Sequence, residues 1–272
     1  MKQTREPAVA GYFYPAEKTQ ILRVLEKFIG NNAGVDAFKA AISPHAGYAY
    51  SGATAGEVFS RTEIPETVIL LGPNHTGYGE PYSVASHDSW LTPLGETEID
   101  KPLAQALVKE SRYLHQDAVA HIKEHSIEVQ LPFLQFLRKD VRIVPIVLSG
   151  YVDDPAWIDI GESIAQVLRS QKRENSVLIV ASSDMTHYEE NAQAEEKDAY
   201  AIEAIVSLDE QLLAQRIYER DITMCGFGPV IVSIVAAKLL GAKHAELVRY
   251  TTSGAVSGER SKVVGYAGIL IK

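Results

Sequence analysis

The sequence predicts a single α/β domain over residues 1–272, with a central, mostly parallel or mixed sheet covered by helices on both faces. Three observations predict it. Short β-branched runs bounded by Gly, Pro, Ser or Asn alternate with amphipathic segments of helical period, the pattern of strands joined through crossover helices. Apolar residues make up 46% and charged residues 22%, a globular composition that leaves little room for disorder. No Gly/Ser-rich or Pro-rich linker and no internal repeat divides the chain, and α/β architectures of this length commonly fold around one sheet.

Taken in order, the first helical segment is Thr19–Phe28, with Ile21, Leu22, Leu25 and Phe28 on one face and charges opposite. Strands follow at Phe38–Ser43 and Thr67–Leu71. Pro102–Lys109 and Ser126–Leu137 read as helices, and Pro132 predicts a kink or late start in the second. The strand Arg142–Leu148, the helix Ala156–Arg169 and the strand Val177–Ala181 come next. Ala192–Val206, Glu210–Glu219 and Val230–Leu240 are helical in period, and the last strands lie near Glu246–Thr251 and Val263–Ile271.

Charge and cysteine content narrow the surroundings. A formal net charge of −9 disfavours nucleic acid and anionic membrane as partners, because both repel an acidic surface. The apolar stretch Pro229 to Ala237 ends at Lys238, far short of the ~20 residues that span a bilayer. The first residues carry no apolar core of a secretory signal. The single cysteine, Cys225, cannot close an internal disulfide. The expectation is a cytoplasmic protein.

In open α/β sheets ligands bind beyond the carboxyl ends of the strands, and here the polar exceptions fall at those ends. The first strand runs into Ser43-Pro44-His45-Ala46-Gly47, the second into Gly72-Pro73-Asn74-His75, and the strand Val177–Ala181 into Ser182-Ser183-Asp184-Met185-Thr186-His187. His125 follows Glu124 just before the predicted helix Ser126–Leu137, whose N-terminal dipole favours an anion. Gly47, Gly72 and Gly77 flank the histidines and let backbone approach a ligand. Two neutral imidazoles, one anionic ligand and open positions suit a reactive iron(II) site, whereas a closed tetrahedral shell suits zinc. The anionic ligand can be Asp184, Glu124 or the thiolate of Cys225, which precedes a helix whose N-terminus is expected to lower its pKa. Glu128 reads as a solvated or structural carboxylate, and Ser182 and Ser183 as strand-end caps. His87, His115, His121 and His244 read as surface or core residues. A nucleophilic pair of Cys225 with His187 or His75 is the weaker catalytic reading. No G-x-S-x-G elbow, P-loop or complete G-x-G-x-x-G is present.

These motifs, in order, resemble the Memo family, the B component of the AmmeMemoRadiSam group. The resemblance spans nearly the whole chain: Pro7-Ala8-Val9-Ala10-Gly11-Tyr12-Phe13-Tyr14-Pro15, Pro44-His45-Ala46-Gly47-Tyr48, Gly72-Pro73-Asn74-His75, Thr92-Pro93-Leu94-Gly95, Glu124-His125-Ser126-Ile127-Glu128-Val129-Gln130-Leu131-Pro132-Phe133, Ser182-Ser183-Asp184-Met185-Thr186-His187, Cys225-Gly226 and Tyr250-Thr251-Thr252-Ser253-Gly254. The family is similar in fold to class III extradiol dioxygenases, non-haem iron enzymes that cleave catechol rings. The resemblance implies His45, His75 and Cys225 as metal ligands, with Asp184 and His187 lining the same pocket and His125 a further cleft residue. It implies iron(II), with copper or zinc as alternatives, since a thiolate stands where the ring-cleaving enzymes use a carboxylate. Two function classes follow. One is a metal-dependent, dioxygenase-like oxidoreductase with His187, Asp184 and His125 in catalytic roles. The other is a non-catalytic module that binds a metal or a phosphopeptide for a partner protein. A radical-SAM enzyme and an AMMECR-like protein are the partners the resemblance implies.

Overall fold

A computed structural model of the chain describes residues 2–30 and 35–272. In chain order its strands are β1 (Thr4–Arg5), β2 (Ala40–Ser43), β3 (Thr67–Pro73), β4 (Tyr82–Ala85), β5 (Ser89–Thr92) and β6 (Gly95–Glu98). They continue with β7 (His115–Asp117), β8 (Arg142–Leu148), β9 (Val177–Ser182), β10 (His187–Glu189), β11 (Ala245–Thr252) and β12 (Val263–Ile271). Among the described residues the main sheet runs β10-β12-β2-β9-β3-β8-β4-β7, with β11 also on β12, and β1-β5-β6 form a small second sheet.

At the centre, β2, β9, β3 and β8 are mutually parallel, while β12 joins β2 and β4 joins β8 antiparallel. The sheet is therefore mixed with a parallel heart, as the alternation of strands and helices predicts. Every residue of β2, β3 and β9 is buried. Successive side chains point to opposite faces, so this burial requires cover on both. The helices Ala156–Ser170 and Phe227–Leu239 pack together, and the second lies against β9, β3 and β2. The helix Tyr48–Ser60 packs on β2, β11 and β12, with Lys18–Ile29 against it.

All six predicted strands are present, with ends shifted by at most two residues. Two expectations about helices change. Ser126–Leu137 does not run as one helix: Ser126 and Ile127 are in a turn, Glu128–Gln130 is a single tight 3₁₀ turn, and the α-helix is Leu131–Leu137. Pro132 sits at its N-terminal end, where the missing N–H costs nothing. The helix Tyr48–Ser60 was not expected, because its small and aromatic residues are buried too widely to show a polar stripe.

No helix among the described residues is long and apolar enough to cross a membrane.

Candidate metal centre

Four parallel strands carry their carboxyl ends to one edge of the sheet, and three deliver the expected side chains there. β2 ends two residues before His45, β3 ends two residues before His75, and β9 leads into Asp184 and then His187. The loop after the short helix Val119–Ile122 brings His125 over the end of β3. That approach depends on Gly72: a Cβ there would lie 2.5 Å from Ser126 Oγ and 2.7 Å from Ile127. A second close approach is at Gly226, where a Cβ would sit 2.4 Å from the Ser182 carbonyl, so glycine lets the Cys225 segment reach the end of β9.

The imidazoles converge. Ring centroids are 5.1 Å apart for His45 and His75, 5.5 Å for His45 and His125, and 4.6 Å for His75 and His125, which stack at 23°. One ring nitrogen from each of the three lies within 4.8 Å of the other two. Nitrogens sharing a tetrahedral ion at bonds of about 2.1 Å stand about 3.4 Å apart, and the three imidazoles are near enough to one another to form a group that could hold a metal ion. His45 is buried, while the side chains of His75 and His125 keep 33% and 21% of their exposure, which leaves the cluster open on one side.

Glu124 holds the two outer rings from behind. Its Oε1 accepts from His75 Nδ1 at 2.9 Å and from the backbone N–H groups of His125 and Ser126, and its Oε2 accepts from the His75 N–H at 2.6 Å. His125 Nδ1 lies 3.5 Å from the same Oε1. Burial alone would raise this carboxyl, but the hydrogen bonds from His75 and the backbone, with the nearby rings, hold it down to about 2. A carboxylate behind an imidazole fixes ring orientation and turns the other nitrogen toward the metal. Glu124 is thus engaged as an orienting group. The reading of His125 as a residue at a helix N-terminus does not hold, since no helix starts at Ser126.

Asp184 is buried and ties two strand ends together: its Oδ1 accepts from the backbone N–H of His45 at 2.7 Å and of Ala46 at 3.3 Å. Burial pushes its carboxyl up to about 6, against the pull of those hydrogen bonds and of His187. His187 lies at the start of β10, with Nδ1 2.9 Å from the Thr223 carbonyl and its backbone N–H on Thr223 Oγ1. A carbonyl only accepts, so Nδ1 donates, and in the neutral ring Nε2 carries the lone pair.

Cys225 Sγ is 3.2 Å from His45 Nε2 and 3.7 Å from the Asp184 carbonyl. The thiol therefore reaches the histidine cluster at His45. Its predicted activation by the following helix is not found: burial, with the Asp184 carboxylate beside it, pushes the thiol up instead. The nucleophilic pair expected with His187 or His75 is also not the one formed, because the imidazole in contact is His45.

Of the other histidines, His121 is buried against Ser83, His87 is buried, and His115 and His244 are exposed, as core or surface residues should be. Glu128 is structural and fully buried. It accepts from Arg5 at 2.7 Å, from the Ala8 and Val9 N–H groups and from Tyr14 Oη. Through these contacts it pins the segment that sets the Phe13 ring 4.7 Å from the His125 ring. Phe13 as a wall of the site is legible in the sequence only as part of the Pro7–Pro15 motif. A hollow of about 510 Å³ between Tyr151 and Tyr218 includes none of these residues in its lining.

Comparison with known proteins places the chain in a family. The model of the Memo-like protein family matches residues 5–270. A MEMO1 family protein of Aquifex aeolicus is 44% identical over 270 residues, covering 98% of this chain and 99% of the relative. MEMO1 family proteins of Methanosarcina barkeri and Archaeoglobus fulgidus are each 44% identical, over 98% of this chain and 100% and 99% of their own lengths. Among solved structures, uncharacterized protein JW3007 from Escherichia coli K12 superimposes with a TM-score of 0.55 at 14% identity, over 85% of this chain and 99% of that one. That likeness is one of fold.

Proposed function

This chain belongs to the Memo-like protein family, and from that premise we propose that it is a metal-dependent oxidoreductase whose ion, iron(II) by preference over copper or zinc, sits on His45, His75 and His125 with Cys225 beside them. The observation that carries the reading is the mutual approach of three imidazole nitrogens to within 4.8 Å at the carboxyl edge of the sheet. The donor set fits: imidazoles suit iron, copper and zinc alike, and the thiol at 3.2 Å from His45 adds a softer fourth donor. When bound, a ferrous ion supplies one-electron redox chemistry toward dioxygen.

The chain's own groups supply the remainder. His187, with Nδ1 donating to Thr223, offers Nε2 as a base, and Asp184 holds the His45 backbone in place. Phe13 against His125 closes one side with an apolar wall. A radical-SAM enzyme and an AMMECR-like protein are the proposed partners, on the sequence resemblance to the AmmeMemoRadiSam group.

The test is anaerobic iron loading, then oxygen uptake with catechols, thiols and small reductants, in wild type and His187→Ala. Both proteins should take up the metal, and His187→Ala should lose about 10²–10⁴-fold in turnover. Oxygen uptake no greater than that of free iron, in fully loaded protein, would reject the enzyme and leave a metal- or phosphopeptide-binding module.

A further inference from the structure

We propose that Ser182 is a positioning residue of the histidine cluster: it fixes the hydrogen of His45 on Nδ1, so that Nε2 presents its lone pair before any metal arrives. The inference deepens the metal reading, but its own claim concerns the metal-free protein.

Ser182 is buried at the end of β9, and its Oγ has three polar neighbours: the Ser126 carbonyl at 2.6 Å, Gln130 Nε2 at 2.8 Å and His45 Nδ1 at 3.0 Å. A serine hydroxyl owns one hydrogen and two lone pairs. The Ser126 carbonyl can only accept, and two oxygens 2.6 Å apart repel unless a hydrogen lies between them, so the hydroxyl hydrogen goes to Ser126. Both remaining positions on Ser182 Oγ are acceptors.

Gln130 confirms the direction from the other side. Its Nε2 also lies 2.9 Å from the Pro44 carbonyl and 3.4 Å from that of Ser43. Reversing the amide would set Oε1 against the carbonyl oxygens of Pro44 and Ser43, so the donor end faces them and Ser182. Among the described residues Gln130 Oε1 is buried without a hydrogen-bond partner, while its Nε2 has three acceptors within reach. One lone pair of Ser182 is thereby filled by Gln130, and the other receives the His45 Nδ1 hydrogen. The His45 Nε2 atom then faces Cys225 Sγ with its lone pair. His75 reaches the same state by a different route, through Glu124. Two separate hydrogen-bond systems thus give these two rings of the cluster one tautomer, the one a metal requires.

The experiment uses the full chain labelled with ¹⁵N at histidine and stripped of metal, read by ¹H–¹⁵N correlations that distinguish the two imidazole tautomers. Wild type should show His45 and His75 protonated at Nδ1. In Ser182→Ala the Nε2–H form of His45 should appear while His75 stays as it was, and Zn²⁺ affinity should fall about 10–100-fold. Wild-type His45 protonated at Nε2 overturns the proposal, as does a Ser182→Ala protein with the wild-type His45 tautomer. If His45 and His75 show the expected tautomers but wild type binds no Zn²⁺, the metal reading fails and this one stands. Gln130→Met, which keeps the Ser182–Ser126 bond, should leave His45 at Nδ1–H, so a switch there overturns the assignment to Ser182.

Discussion

Cys225 is the residue on which the chemistry turns, because it touches one histidine of the cluster rather than all three. If it ligates alongside the imidazoles, Cys225→Ser should weaken metal binding by about 10–100-fold without abolishing it. A Cys225→Ser protein with wild-type metal affinity would place the sulfur outside the coordination set. The sequence makes His45, His75, Asp184, His187 and Cys225 legible as candidates because each lies next to a strand end or a helix start, where polar residues interrupt apolar runs. Glu124 was legible as a carboxylate at the site, but its role was not, since its donors come from residues 75, 125 and 126. Ser182 escaped for the same reason: its partners, Ser126, Gln130 and His45, meet only after the loops cross.

Elements position these residues through two buried ties. Asp184 joins the ends of β9 and β2, and Glu128 joins the 3₁₀ turn to the N-terminal segment. The Arg5–Glu128 pair is removed from water on both sides, with side-chain exposures of 1% and 0%, and Arg5 also donates to the carbonyls of His121 and Glu124. Breaking one member of such a pair leaves an uncompensated buried charge, so Glu128→Gln should cost about 3–5 kcal/mol in urea unfolding. A loss under about 1 kcal/mol would mean that the segment bearing Phe13 is held by other contacts. The central strands were readable because β-branched runs buried on both faces have one interpretation. The helix Tyr48–Ser60 and the short strands β4 to β7 were not, since the helix lacks a polar face and the strands are three or four residues long.

At the scale of the whole molecule, burying histidines without charge makes the metal-free fold sensitive to acid. Burial, with Arg5 close by, brings His121 down to about 3, and burial likewise lowers His45, His87 and His125. In the unfolded chain a histidine titrates near 6.5, so between about 6.5 and 3 the unfolded state binds more protons. Stability from these groups is complete above about pH 6.5 and is lost as pH falls through that window. Asp184, raised to about 6, and Asp198, also raised by burial, act the other way by taking up protons in the native state. Four histidines against two carboxyls give a net decline, and the urea midpoint should drop between pH 7 and pH 4; a midpoint that rises would contradict the neutral burial of these rings. The most direct test of the central claim is calorimetric titration of chelator-stripped protein with Zn²⁺, a redox-silent probe, in wild type, His75→Ala and the exposed-site control His244→Ala. One equivalent should bind to wild type and to the control, and affinity should fall by at least about tenfold in His75→Ala. Binding equal in all three proteins, or none in wild type, would contradict a metal centre built on His45, His75 and His125.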